Sequence, residues 1–309
     1  MKSNRSNKRV AIIGAGAVGG YYGARLAENG ADVTFLLRSD YDHVKEHGFQ
    51  IESVAGDFHL SEVQCARSSE EIGNVDLVII AWKTTANSHY EKVIIPLLHE
   101  DTQIITLQNG LGNVEELSRL FGAERVFGGL CFVCINRLSA GVISHTASGL
   151  IRLGEYQRSE GGRLERLVEF LSDGGIHCEA VENLEKAQWM KLVWNIPFNG
   201  LAISEGGIDT EELLEKEGME DRVLAIMKEV QSVVAALGHE VEDRFLERQI
   251  SITKPMGKYR PSSMIDFVEG REVELNSIWK EPLKVAKALA VKTPEIEALT
   301  NSIEARIQA

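Results

Sequence analysis

From Arg9 to about Ala180 the chain alternates short, nearly continuous apolar runs with stretches whose apolar positions recur every three to four residues. "RVAIIG", "DVTFLLR", "VDLVIIAWK", "TQIITLQNG" and "RVFGGLCFVCI" each end in a turn or polar residue. Strands of a parallel sheet covered on both faces read this way. Between them "TTANSHYEKVIIPLL" and "NVEELSRLF" carry helical spacing. The alternation predicts a doubly wound α/β domain. "FQIESVAGDFHLSEV" and "GVISHTASGLIRLGEY" predict antiparallel hairpins added to its sheet.

After "GGIHCEAVEN" the pattern changes. Strand-like runs nearly vanish, and the 3.6-residue period takes over through "LEKAQWMKLVWNIPFNGLAI", "EDRVLAIMKEVQSVVAALG" and "EVELNSIWKEPLKVAKALA". The last element, "TPEIEALTNSIEARI", offers Thr293 as N-cap and Pro294 as its first helical residue. The expected organisation is a Rossmann-type domain over 1–182 and an all-helical domain over 183–309, with the cleft between them as the default ligand site.

"GAGAVG", from Gly14 through Ala15, Gly16, Ala17 and Val18 to Gly19, follows the first strand and opens a helix that Gly30 stops. In that context each glycine has a mechanical task. Gly14 makes the tight turn, Gly16 lets a pyrophosphate approach the backbone, and Gly19 lets helix and strand pack closely. Helix-start N–H groups would hold the phosphate oxygens. An NAD enzyme carries an acid at the end of the second strand, about 20 residues on. Here Arg38 stands there, and a guanidinium binds a 2′-phosphate that a carboxylate would repel. The expected cofactor is NADP(H). Asp40 competes, since it could reach a ribose; the alternative is that it caps the helix "DYDHVKEHG". Lys83, ending "VDLVIIAWK", either adds charge at the cofactor edge or is a solvated strand-end lysine.

Two further segments carry candidate chemistry. Asn109 in "LQNGLGN" ends a strand, where it either faces the ligand crevice or merely makes an Asn-Gly turn. In "KLVWNIPFN", Lys191, Asn195 and Asn199 are four apart and share one helix face amid apolar neighbours. Buried polar groups need partners, and Pro197 would free the carbonyl of Val193 and kink that helix. In "RPSSMIDFVEGREVELNSIW", Ser263 and Asp266 have capping-box spacing, which leaves Ser262 free for an anion. Glu274 follows in the next helical stretch.

Composition narrows the field. A net charge of −13 over 309 residues disfavours nucleic acid, and no apolar run nears the roughly 20 residues that cross a bilayer. "MKSNRSNK" leads into no signal-peptide core, so a cytoplasmic protein with a loose basic tail is expected. Cys131 and Cys134 form a C-x-x-C with no second pair to complete a zinc site. On a strand, residues three apart point to opposite faces. Two packed cysteines, and no metal, are expected.

Taken together and in order, "GAGAVG", "LLR", "QNGLGN", "HTASGLIRLGE", "KLVWNIPFN" and "PSSMIDFVEG" with Glu274 twelve residues after Ser262 resemble the ketopantoate reductase family over nearly the whole chain. The resemblance implies an NADPH-dependent reduction of a small 2-oxo acid. It makes Lys191 and Glu274 the catalytic residues. Asn109, Asn195, Asn199 and Ser262 become substrate-binding, Asn109 also borders the cofactor, and Arg38 and Lys83 belong to the NADP-phosphate region. The segment departs from the family's usual "SMLQD" wording after Ser262, and "ELNSIWKEPL" replaces the commoner "EIDYING" type. Both departures lie beside the substrate. Rival expectations are a different 2-oxo acid, a non-catalytic NADP(H) sensor, and a 6-phosphogluconate-type dehydrogenase. A homodimer is compatible with all of them.

Overall fold

A computed structural model describes residues 8–158 and 161–308. Most of the basic tail, residues 1–7, lies outside that range. Ten strands form one sheet: β1 (Arg9–Ile13), β2 (Asp32–Leu36), β3 (Phe49–Ser53), β4 (Phe58–Leu60), β5 (Gln64–Ala66), β6 (Leu77–Ile80), β7 (Gln103–Thr106), β8 (Val126–Ser139), β9 (Val142–Glu155) and β10 (Cys178–Ala180). Their order is β4-β3-β9-β8-β7-β6-β1-β2-β5, with β10 also on β9. From β8 to β5 every neighbour is parallel, as the right-handed crossovers of a Rossmann-like sheet require. All four residues of β6, and Val10 to Ile13 of β1, are buried. That is why these runs lack polar alternation.

The remainder of the sheet is mixed. β3 and β4 form the expected antiparallel hairpin. "GVISHTASGLIRLGEY" does not fold as a hairpin. It is the single strand β9, antiparallel to β8 for its whole length. Its turn-like "ASG" is a bulge, with Ser148 and Gly149 at positive φ and the register shifted between Phe132 and Val133. The other edge of β9 takes β3 near its start and β10 near its end. "TTANSHYEKVIIPLL" is likewise not one helix. It breaks into a 3₁₀ turn (Thr84–His89), a short α-helix (Tyr90–Ile94) and a second 3₁₀ turn (Ile95–Leu97) around Pro96, which cannot continue a regular ladder.

The chain folds as two compact units, one of residues 1–108 and 113–184, the other of Asn109–Gly112 with Glu185–Ala309. The four-residue loop leaving β7 therefore belongs with the helical part. That second unit contains no strand among its described residues. Its core gathers on the helix Leu184–Ser204, whose Trp189, Val193, Ile196 and Phe198 are buried with Trp279 and Leu299. The helix runs on through Pro197, and the indole of Trp279 donates to the Ile196 carbonyl at 3.1 Å. The last helix starts at Pro294 as expected. The N–H groups of Glu295 and Ile296 donate to the carboxylate of Glu229, a side chain of the helix Met219–Ala236.

Candidate active site

In the first unit the glycine turn has the expected mechanics. Gly14 lies at φ +92°, and a Cβ there would overlap the Trp82 backbone. A Cβ on Gly19 would overlap the Gly14 carbonyl and press on Ala81 and Ile12. At Gly16, by contrast, a Cβ would meet nothing within 4 Å. That opening lies at the N-terminus of the helix Ala17–Glu28, where unpaired N–H groups and the helix dipole favour an anion. The turn fits a dinucleotide's pyrophosphate on two counts: space where a Cβ would stand, and donors beside it.

Arg38 is exposed two residues past β2, and Lys83 is half-buried just past β6. Asp40 does occupy the N-cap position of the helix Tyr41–His47, but its side chain makes no cap. Both carboxylate oxygens instead receive the guanidinium of Arg137, from Nε at 2.8 Å and Nη2 at 2.7 Å. A bidentate charge pair outcompetes a single neutral N–H. Sequence spacing could not find this pair, because 97 residues separate its members.

A polar network that sequence reasoning also missed fixes the end of β7. Gln108 accepts from the hydroxyls of Tyr90 (2.6 Å) and Thr106 (2.8 Å), and its amide donates to Asn87 at 2.7 Å. Asn87 in turn donates to Asn113 at 2.9 Å. Cys131 is buried and Cys134 half-buried on β8, both as free thiols.

The second unit brings Lys191 and Asn109 together. Half-buried on the long helix, Lys191 donates from Nζ to Asn109 Oδ1 at 2.7 Å. Asn109 is held by its own loop. Gly110 at φ +83° lies so close to the Ser277 carbonyl that a Cβ would overlap it, and Leu111 N donates to that carbonyl at 2.8 Å. Ser277 belongs to a π-helical turn, Asn276–Lys280. Such turns are rare and concentrate at functional sites. Glu274 is half-buried in the irregular segment just before this turn, not within a helix, because the wider winding begins after it.

One turn along from Lys191, Asn195 is half-buried. Asn199 is 2% exposed. Its amide donates to the Asn195 carbonyl at 3.2 Å, and its oxygen accepts from Ser263 N at 2.9 Å. The expected Ser263–Asp266 capping box is absent: the helix Ser262–Val268 has no side-chain cap of its own at Pro261. Asn199 serves the Ser263 N–H from the neighbouring helix, and Asp266 pairs with Arg271 at 2.8 Å. With Ser263 buried, Ser262 is the exposed serine at this helix start.

Comparison with known proteins places these features in a family. The description Ketopantoate reductase PanE/ApbA matches residues 10–158, and Ketopantoate reductase PanE/ApbA C terminal matches 183–307. A 2-dehydropantoate 2-reductase of Nostoc sp. is 37% identical, over 97% of this chain and 95% of its own. The crystal structure of a 2-dehydropantoate 2-reductase from Geobacter metallireducens GS-15 is 43% identical with TM-score 0.94, covering 96% of this chain and 99% of that one. The ternary structure of a D-mandelate dehydrogenase with NADH and anilino(oxo)acetate shares the fold at 23% identity and TM-score 0.90, over 97% and 98% of the two chains. With both halves matched in order and a relative similar over almost its full length, the chain belongs to the ketopantoate reductase PanE/ApbA family of oxidoreductases.

Proposed function

We propose that this protein reduces the ketone of 2-dehydropantoate with NADPH, and that Lys191 supplies the proton. The observation that carries the reading is the Lys191–Asn109 hydrogen bond of 2.7 Å, an amine positioned by a neutral amide; Ser262 and Glu274 are assigned to the same site by this proposal. NADPH, when bound, would supply the hydride. Hydride arrival leaves an alkoxide far more basic than an amine, so an ammonium at Lys191 protonates it readily. Before that, the same charge stabilises the oxygen as negative charge develops.

Asn109 aims the lysine and, with Ser262, takes the substrate carboxylate. Glu274 accepts from the substrate hydroxyl, and Asn195 adds a further polar contact. Asn199 acts through Ser262, since its amide is committed to holding the serine's helix. In the first unit, the backbone from Gly14 to Gly19, including Ala15, Ala17 and Val18, cradles the pyrophosphate. Arg38 and Lys83 supply positive charge for the 2′-phosphate. A non-catalytic sensor would need no amine held in this way.

A different 2-oxo acid is the second reading. It is favoured by the departures in "ELNSIWKEPL", where the π turn stands beside Glu274, and by the D-mandelate dehydrogenase that shares this fold. The test is NADPH oxidation against a panel of 2-oxo acids that includes 2-dehydropantoate, bulkier aromatic acids and, as an outgroup, the reverse reaction on phosphorylated sugar acids with NADP. The highest kcat/KM is expected with 2-dehydropantoate. A tenfold or larger preference for another acid transfers the reading to that substrate.

A further inference from the structure

We infer that Arg137 is a cofactor-specificity residue: it withdraws Asp40 from the coenzyme and so keeps the end of β2 selective for a 2′-phosphate. The inference rests on the proposed use of NADPH and adds to it a residue outside the glycine turn and outside the residues proposed to bind the substrate.

The end of β2 carries an arginine and an acid two residues apart, Arg38 and Asp40. These are opposite signals. An arginine there recognises a 2′-phosphate, whereas an acid there accepts from the free 2′- and 3′-hydroxyls of NAD and repels the phosphate. The structure shows how the conflict is removed. Asp40 is 9% exposed as a residue. Its oxygens accept three hydrogen bonds, two from Arg137 and one from Ser39 Oγ at 2.9 Å. Arg137 comes from far along the chain on β8, and its fork geometry occupies both oxygens at once. A lysine would engage one oxygen and leave the other available.

The next acid is matched too, as Asp42 pairs with Arg67, whose guanidinium lies 4.1 Å from the centre of the Tyr41 ring. Three arginines thus stand against two aspartates around this strand end, and Arg38, exposed, is the one whose charge remains for a ligand. The helix Tyr41–His47 forgoes a side-chain cap at Asp40. A cap is ordinarily favourable, so the Arg137 pair holds the carboxylate against a local alternative.

The experiment is equilibrium binding of NADPH and NADH to the full-length protein, followed by fluorescence titration, for the natural sequence, Arg137→Met, Asp40→Asn and the double variant. Thermal melts confirm folding. The natural protein should prefer NADPH. Releasing Asp40 by Arg137→Met should weaken NADPH about tenfold, a loss between those of two like charges about 4 Å apart in bulk water and at a protein surface, and leave NADH unchanged or tighter. Raising the salt concentration should shrink the loss. In the double variant, NADPH affinity should return to within about threefold of the natural value, since no released charge remains.

Equal weakening of both coenzymes by Arg137→Met, or no rescue by Asp40→Asn, would overturn the inference and make the pair purely structural. Should Arg137→Met fail to fold, Arg137→Lys provides the same comparison with an intermediate loss expected. If the natural protein itself prefers NADH, the reading of Arg38 fails, and that outcome is visible before any variant is made.

Discussion

Lys191 is the side chain on which turnover should depend most. Lys191→Ala removes the proposed proton donor and its charge, so kcat should fall by a factor of about 10² to 10⁴. NADPH affinity should stay within about twofold, because the glycine turn lies in the other unit. Stopped-flow reduction and coenzyme titration separate the two; undiminished kcat would remove Lys191 from the chemistry. At Arg38 the expectation is reversed. Arg38→Asp should weaken NADPH by one to two orders of magnitude and NADH far less, the difference a bidentate phosphate contact makes. An unchanged preference would show that the phosphate is held elsewhere.

Side-chain hydrogen bonds also join elements, and two of these joints can be tested. Asn199 ties the long helix to the helix Ser262–Val268 through one buried hydrogen bond. Asn199→Leu leaves the Ser263 N–H without that acceptor and should lower stability by about 1–3 kcal/mol. It should also raise KM more than it lowers kcat, because Ser262 loses its seat. A pure stability loss with unaltered KM would make the joint structural only.

The second joint is His145 on β9. Its Nε2 faces the carbonyls of Ala147 and Ser148 at 3.1 Å, which can only accept, so that nitrogen carries the hydrogen. Nδ1 then accepts from the Ser53 hydroxyl at 2.7 Å. Burial holds the ring below the ordinary histidine pKa, with the nearby Arg25 guanidinium acting in the same direction and the two carbonyls opposing. The folded state thus resists a proton that the unfolded chain takes up near pH 6.5. Stability should be full above that pH and fall as pH drops from about 6.5 towards the folded-state value, by at most about 1.4 kcal/mol per pH unit for one proton. Denaturant melts of the natural protein and His145→Gln across pH 5 to 8 read this out. Parallel slopes in the two would assign the acid sensitivity to other groups.

For the molecule as a whole, the division into units does not follow the order of the chain. Asn109–Gly112 groups with residues 185–309, and Leu111 packs into that unit's core at 6% exposed. A fragment of 185–309 lacks this leucine and the two backbone contacts on Ser277. It should therefore melt below the intact chain, by the equivalent of a buried leucine, about 2–5 kcal/mol. A fragment as stable as the second unit of the intact protein, compared by amide hydrogen exchange, would mean the loop contributes nothing.

Much of this protein could be read without coordinates. The buried parallel strands, the glycine turn, the arginine after β2 and the lysine helix all follow from spacing within about 20 residues, where periodicity and turn chemistry are local. Helix and strand periods also separate the sheet half from the helical half. Folding settled what depends on residues far apart in the chain. "ASG" is a bulge and not a turn because β8 lies alongside it. Asp40 pairs with Arg137 instead of capping its helix, Asn199 replaces a local capping box, and Asn109 meets Lys191 across 82 positions. A polar side chain takes the strongest partner within reach, and which partner that is depends on the packing of distant segments.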